Sequence, residues 1–262
     1  RKITIIDGHT GFTGGINLAD EYINEYEKHG HWKDASIRLK GEAVWNLTIL
    51  FLQSWNFYRP TDEDYSKFRY RPETAPSIQS DGYVQPYGDS PFDDELVSET
   101  VYINFIYRAT KYIYINTPYL IVDNELVTAL ISASKRGVDV RICTPHIPDK
   151  WYVHMITQAY YPMLLKAGIK IYEYTPGFLH SKTFVADDQQ AIVGTINLDY
   201  RSLYHHFECA VFLYQSSTIQ DIKADYLHTL ESCTEITEEF CRKIPWYKRI
   251  IRGLIRLFSP LM

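Results

Sequence analysis

The sequence predicts a layered α/β protein, and three observations carry the prediction. From residue 94 onward, segments with helical and strand character alternate, which is the signature of helices layered on a sheet. A segment near the start, KITIIDGHTGFTGGINLADEY (2–22), returns as KTFVADDQQAIVGTINLDYRS (182–202). The chain has 262 residues, 45% of them hydrophobic, so it can bury a substantial core.

In chain order, β-favouring runs at 2–7 and 11–16 read as strands, followed by a helix near 18–29. A strand around 34–40 and a helix near 41–57 come next. Residues 59–93 hold Pro60, Pro72, Pro76, Pro86 and Pro91 among polar residues, and read as a long loop. Then come a helix to about 110, the strand YIYINT, a helix over 123–136, the strand VDVRICT, a helix near 151–167 and the strand IKIYEYT. Two strands within 180–197, the strand FECAVFLY and a helix over 217–233 complete the series.

The repeat pairs Lys2 with Lys182, Asp7 with Asp187, Gly14 with Gly194 and Asn17 with Asn197, all at an offset of 180. In HSKTFVAD, His180 and Lys182 stand two apart and so share one face of a strand. AIVGTIN then delivers Asn197, with Gly194 marking a bend or a close approach. Lysine supplies a point charge, asparagine a directional donor, and histidine a nucleophile or acid. Together they suit a phosphate and require no metal. Asp187 reads first as a structural carboxylate at the strand end. The repeat partner of His180 would be the residue immediately before Arg1.

Other readings are weaker. GFTGG (11–15) lacks the lysine-serine ending of a nucleotide loop. His205 and His206 beside Glu208 make a poor chelate, because neighbours on a strand point to opposite faces. A net charge of −5 argues against a nucleic-acid groove as the main partner. The four cysteines, Cys143, Cys209, Cys233 and Cys241, have no metal-ligand spacing and read as reduced and buried. The 22 tyrosines read as core. The most apolar run, AVWNLTILFLQSW, is too short and too polar to span a bilayer.

The pattern H-x-K-x4-D-x6-G-[GST]-x-N, met in full at His180–Asn197, resembles the signature of the phospholipase D superfamily. The likeness narrows to bacterial cardiolipin synthases through RKITIIDGHTGFTGGINLADEYIN, HWKDASIRLKGEAVWNLTILFLQSW, INTPYLIVDNELVTALISASKRGVDVRICTP and AGIKIYEYTPGFLHSKTFVADDQQAIVGTINLDYRSLYHHFECAVFLY. Only the 59–85 region matches weakly. The resemblance implies a phospholipase D-like layered sheet flanked by helices. The division expected is the C-terminal part of a first lobe over 1–88, a complete second lobe over 89–243 and a basic amphipathic tail over 244–262. If the lobes are of equal length, the first began about ninety residues before Arg1. Further N-terminal membrane helices are implied for the family.

The implied reaction transfers a phosphatidyl group between two phosphatidylglycerol molecules through a phosphohistidine, releasing glycerol, with no cofactor. The implied catalytic residues are His180, Lys182, Asp187, Lys2 and Asp7, with Asn17 and Asn197 binding the phosphate. His180 acts as general acid and base, and the first-motif histidine as nucleophile. Glu208, a lone charge in FECAVFLY, is expected to bond His180 and fix its tautomer, with Asp34 holding the comparable place after the first motif. An Asp34–Arg38 ion pair is the competing reading. The partners implied are anionic phospholipid, phosphatidylglycerol, at a bacterial cell membrane, with the protein on its cytoplasmic side or membrane-associated, and a homodimer is an option. Phosphodiester hydrolysis and an inactive lipid-binding fragment are the alternatives, the latter because this chain alone lacks the first-motif histidine.

The tail KIPWYKRIIRGLIRLFSPLM sets Tyr247, Ile250, Ile251, Leu254 and Phe258 at helical spacing on one side, amid the basic Lys243, Lys248, Arg249, Arg252 and Arg256 and next to Arg242. It is expected either to lie on an anionic interface or to pack on the lobe with its basic face solvated.

Overall fold

The computed structural model describes residues 1–70 and 81–261. The chain opens with a hairpin of β1 (Ile3–Ile6) and β2 (Thr10–Gly14), followed by β3 (His31–Lys33), β4 (Ser36–Lys40), α1 (Val44–Tyr58) and β5 (Tyr83–Asp89). Next are α2 (Val97–Arg108), β6 (Tyr112–Asn116), β7 (Leu120–Ile121), α3 (Asn124–Lys135), β8 (Asp139–Pro145), α4 (Trp151–Lys166) and β9 (Lys170–Tyr174). The motif region holds β10 (Gly177–Leu179), β11 (Thr183–Ala186), β12 (Gln190–Gly194) and β13 (Leu198–Asp199). The chain continues through β14 (Glu208–Tyr214), α5 (Thr218–Glu231), β15 (Cys233–Ile236), α6 (Glu238–Lys243) and α7 (Trp246–Arg256).

Eight strands form the main sheet in the order β15-β9-β8-β6-β11-β12-β14-β5. β6, β8 and β9 run parallel, as crossover helices require, and the remaining pairs are antiparallel. Both faces are covered, so the central strands read as continuous apolar runs, and β6, β11 and β12 are buried at every position. One face packs on α2, α3 and α4, where Phe184 stacks on Tyr102 at 4.3 Å. On the other face lie α5 and a three-stranded sheet, β1-β2-β4, through Ile37, Leu39, Val44 and Leu47.

The repeat is legible in the pairing. Ile3 faces Thr13 in the first hairpin and Thr183 faces Val193 in the second, the same register displaced by 180. Both turns carry two residues with positive φ, Asp7-Gly8 and Asp187-Asp188, within tight three-residue loops that link Ile6 to Thr10 and Ala186 to Gln190. β2 then pairs β4 with Gly14 opposite Ser36, and β12 pairs β14 with Gly194 opposite Ala210. A Cβ on Gly194 would lie 2.3 Å from Ala210 Cβ and 2.6 Å from Cys209 O, with buried strand all around. Gly194→Ala is therefore expected to destabilise the chain by about 1–3 kcal/mol, read as a lowered urea midpoint.

Several expectations need correction. The helix expected over 18–29 is a single 3₁₀ turn, Asp20–Ile23, ended by Asn24 in the left-handed region. Asn24 instead clasps β3, accepting from Trp32 N at 2.6 Å and donating to Trp32 O at 3.1 Å. The strand expected around 34–40 begins only at Ser36, and a separate short strand, β3, which was not expected, precedes it across Asp34 and Ala35. Within the expected 59–93 loop, β5 adds to β14 as an edge strand of the main sheet. An edge tolerates Pro86, which had argued against a strand. Residues 71–80 of that stretch lie outside the described residues. Three cysteines are buried, but Cys233 is only half-buried.

Candidate active site

β11 runs antiparallel to β6, so the residues just before β11 sit beside the carboxyl end of β6. β12 returns alongside, bringing the residues after Gly194 to the same edge. His180, Lys182 and Asn197 thus gather where parallel strands end, the usual ligand position in open α/β sheets. One further pairing completes the group. β10 pairs parallel with β3, with Leu179 opposite Lys33, and His180 N donates to Lys33 O at 2.7 Å. The next residues in register are Asp34 and His180.

His180 Nδ1 lies 2.7 Å from Asp34 Oδ2, and the Asp34 side chain is only 2% exposed. The same carboxylate accepts from Ala35 N at 2.9 Å and from Trp32 Nε1 at 3.3 Å. A Cβ on Gly15 would stand 2.0 Å from Asp34 Oδ1, so glycine there makes room for the carboxylate. The expected Glu208–His180 bond is not made. Glu208 lies in a site of its own, accepting from Thr195 Oγ1, with His206 Nδ1 at 3.6 Å. Asp34 and Glu208 are nevertheless equivalent, each two residues before the partner of its repeat's glycine, Ser36 or Ala210. The carboxylate that follows the first repeat holds the histidine of the second. An Asp34–Arg38 pair is replaced by these bonds.

Aromatic rings wall the imidazole: Trp32 at 5.0 Å, Tyr22 edge-on at 5.6 Å and Phe178 stacked at 5.8 Å. Burial, then the charge of Lys182, drives the His180 pKa down to about 4 against the pull of Asp34. The ring is therefore neutral near pH 7. With Nδ1–H donated to Asp34, Nε2 carries the free lone pair. Lys182 is 2% exposed and donates to His180 O at 2.5 Å. Burial lowers its pKa to about 7; Asp34 opposes the shift and nearby Lys2 adds to it. The charge of Lys2 is also felt at His180 and Glu208, so the two motif lysines converge on one region. Burial alone would raise the Glu208 carboxyl, but His206, Thr195, the ammonium of Arg1 and Lys2 together hold it below its ordinary range.

Asn197 donates to Asp199 Oδ2 at 3.0 Å, and its Oδ1 is buried without a hydrogen-bond partner among the described residues. Asn17 is exposed and donates to Tyr22 Oη at 2.5 Å, which ties it to the wall of the histidine pocket. The two motif aspartates lie elsewhere. Asp187 accepts from Thr110 N at 2.7 Å, Thr110 Oγ1 at 2.9 Å, and Lys111 N and Tyr112 N at 2.9 Å each. It sits at the far end of the hairpin, about 16 Å from Lys182 at roughly 3.3 Å per residue. Asp7, exposed, holds the same place in the first hairpin. Tyr22, Trp32 and Phe178 were missed as site residues, since nothing in the sequence separated them from aromatics of the core. Thr195 stood inside the motif, where only its small size could be read.

Residues 102–230 match the family model described as "Cardiolipin synthase, PLD-like domain". The whole chain aligns at 38% identity with a cardiolipin synthase of Halalkalibacterium halodurans and at 40% with cardiolipin synthase 2 of Bacillus anthracis. Residues 102–230 thus form a phospholipase D-like domain similar to that of cardiolipin synthases. It covers 52% and 51% of those two proteins, and 56% of a Streptococcus mutans protein to which it is 50% identical. The chain thus spans about half the length of the curated relatives it matches. Among solved structures, a phosphatidylserine synthase of Haemophilus influenzae superposes with a TM-score of 0.70 at 13% identity, over 97% of this chain and 67% of that one. Nuc of Salmonella typhimurium, a phospholipase D family member, superposes at 0.51 with 18% identity, over 59% of this chain and 98% of its own. Both likenesses concern the fold, and they bear out the layered phospholipase D-like sheet read from the sequence. The motif lies at the carboxyl edge of the parallel strands.

Proposed function

We propose that this chain is catalytic machinery of a phosphatidyl transferase that joins two phosphatidylglycerol molecules into cardiolipin with release of glycerol. The observation that carries the reading is the 2.7 Å bond between His180 Nδ1 and Asp34, formed between two repeats beside buried Lys182. The crossed arrangement supports a single site served by both motifs. By the same register, Glu208 is the carboxylate for the position before Arg1, where the repeat calls for a histidine. In this reading the main sheet is the second lobe, with β5 added to it, and β1–β4 with α1 belong to the first.

In the first step the first-motif imidazole attacks phosphorus while the P–O bond to glycerol breaks. His180 delivers a proton to the departing oxygen. In the second step the glycerol hydroxyl of another phosphatidylglycerol attacks phosphorus, its proton passes to His180, and the P–N bond breaks. Resting His180 is neutral, so it must first take up a proton, which a bound phosphodiester anion favours. Lys2, Lys182, Asn17 and Asn197 are assigned to the phosphoryl oxygens, where charge grows in the transition state. Asp7 and Asp187 are assigned to shaping the hairpins that carry the lysines. A phospholipid substrate calls for a site at a membrane surface. Among the described residues no helix is long and apolar enough to cross a membrane.

The test is product analysis with phosphatidylglycerol vesicles, comparing this chain with a protein extended upstream through the first motif. Cardiolipin and glycerol from the extended protein alone are the expected result. Phosphatidic acid with glycerol and no cardiolipin would identify a hydrolase. Equal activity in the 262-residue chain would mean that one motif suffices, through a homodimer.

A further inference from the structure

α7 lies on the protein with its two faces reversed from what water favours. Its apolar residues point outward: Trp246 is 73% exposed, Ile250 53% and Leu254 56%, and Leu257 and Phe258 just beyond are exposed as well. Arg252 and Arg256 turn toward α4, with Ile255 packed on the core between them, while Arg249 stays exposed. Arg252 donates to Gln158 Oε1 on α4, its Nε is buried without a hydrogen-bond partner among the described residues, and Arg256 covers the Tyr160 ring at 4.3 Å. The helix therefore packs on the main body, but with Arg252 and Arg256 turned inward and not with its basic face solvated.

Between α4, α6 and α7 this leaves a cavity of about 580 Å³, lined by Lys166, Arg242, Arg249, Arg252 and Arg256. The one carboxylate on the lining, Glu238, is paired with Arg242 at 2.8 Å. None of the residues around His180 takes part. Five cations converging on a groove, against one neutralised acid, are matched by an anion with several acceptor oxygens. An exposed apolar row on the same helix is matched by hydrocarbon, and short basic amphipathic helices meet both at a lipid interface.

We propose that this groove is a second phosphate site, distinct from the catalytic one, which seats the phosphodiester headgroup of an anionic phospholipid while the apolar row of α7 enters the bilayer surface. The inference is independent of the chemistry assigned to His180, and its test reads binding alone. The 262-residue chain is titrated with vesicles of phosphatidylcholine alone and of phosphatidylcholine mixed with phosphatidylglycerol, at one ionic strength. Lys166→Gln with Arg249→Gln, both at the exposed mouth of the groove, should weaken binding to the mixed vesicles by about five-fold per cation removed. The equal charge loss Lys243→Gln with Lys248→Gln, outside the groove, should cost much less. Melting temperatures of both double variants should match the parent, since none of the four side chains is buried. Equal losses in the two double variants would overturn the site in favour of diffuse attraction. Stabilisation by inorganic phosphate that Arg249→Gln abolishes, without an effect on vesicle binding, would overturn the lipid assignment and leave a soluble phosphate as the occupant.

Discussion

Replacing His180 by alanine is expected to lower the rate of cardiolipin formation by at least about 10³-fold in a protein that carries both motifs, with vesicle binding unchanged. The side chain is asked to give a proton in the first step and take one in the second, and such a group contributes about 10²–10⁴-fold. Asp34→Asn is the sharper companion. An amide cannot hold Nδ1–H as the carboxylate does, so the free lone pair moves from Nε2 and the rate should fall by about 10²–10⁴-fold with KM little changed. If Asp34 served only to anchor the loop between β3 and β4, the loss would appear instead in the melting temperature. Full activity in Asp34→Asn would remove the orienting role from the proposal.

Lys182→Met is expected to stabilise the fold while destroying activity. The buried ammonium has its pKa lowered from 10.5 to about 7. Between those values the unfolded chain binds a proton that the folded chain does not, so stability rises with pH from about 7 to 10.5. Below about pH 7 the penalty is fully present. At about pH 6 the methionine variant should therefore gain on the order of 2–3 kcal/mol over the parent, and the gain should fade as pH approaches 10. His180 acts in the same direction in a separate window, since its pKa falls from 6.5 to about 4. It removes stability as the pH drops from about 6.5 to 4, which His180→Ala should abolish. Urea denaturation across pH measures both. A methionine variant less stable than the parent at every pH would show that the lysine is held by compensating bonds and is not strained by burial. Groups kept at such a cost are the ones expected at a functional site.

Where the sequence was legible, a period or an offset made it so. The continuous apolar runs of β6, β11 and β12 reflect a sheet covered on both faces, and the helices α1, α3, α4 and α5 appear close to their expected bounds. The repeat was visible because tight turns and close strand contacts demand particular residues: Asp7 and Asp187 at positive φ, Gly14 and Gly194 under a neighbouring strand. β5 was hidden because Pro86 and Gly88 carry loop character, and only the free edge of β14 makes a strand of them. The 18–29 segment had helical composition, yet Asn24 finds its partners on Trp32, a contact that no local propensity reports.

The sequence by itself determined that one motif recurs at an offset of 180 residues on an α/β scaffold, because its residues must keep a fixed spacing along hairpins whose geometry is local. It also singled out Glu208 and Asp34 as carboxylates to set beside a motif histidine. Which carboxylate serves which histidine was decided only by tertiary structure. The parallel pairing of β3 with β10 joins segments 146 residues apart and sets Asp34 against His180. The direction in which α7 faces was settled in the same way. A period of 3.6 residues fixes that a helix has two faces, but the contacts of Arg252 and Arg256 with α4 fix which one turns inward. Spacing encodes what lies on one element, and the relation between elements depends on packing that no single segment contains.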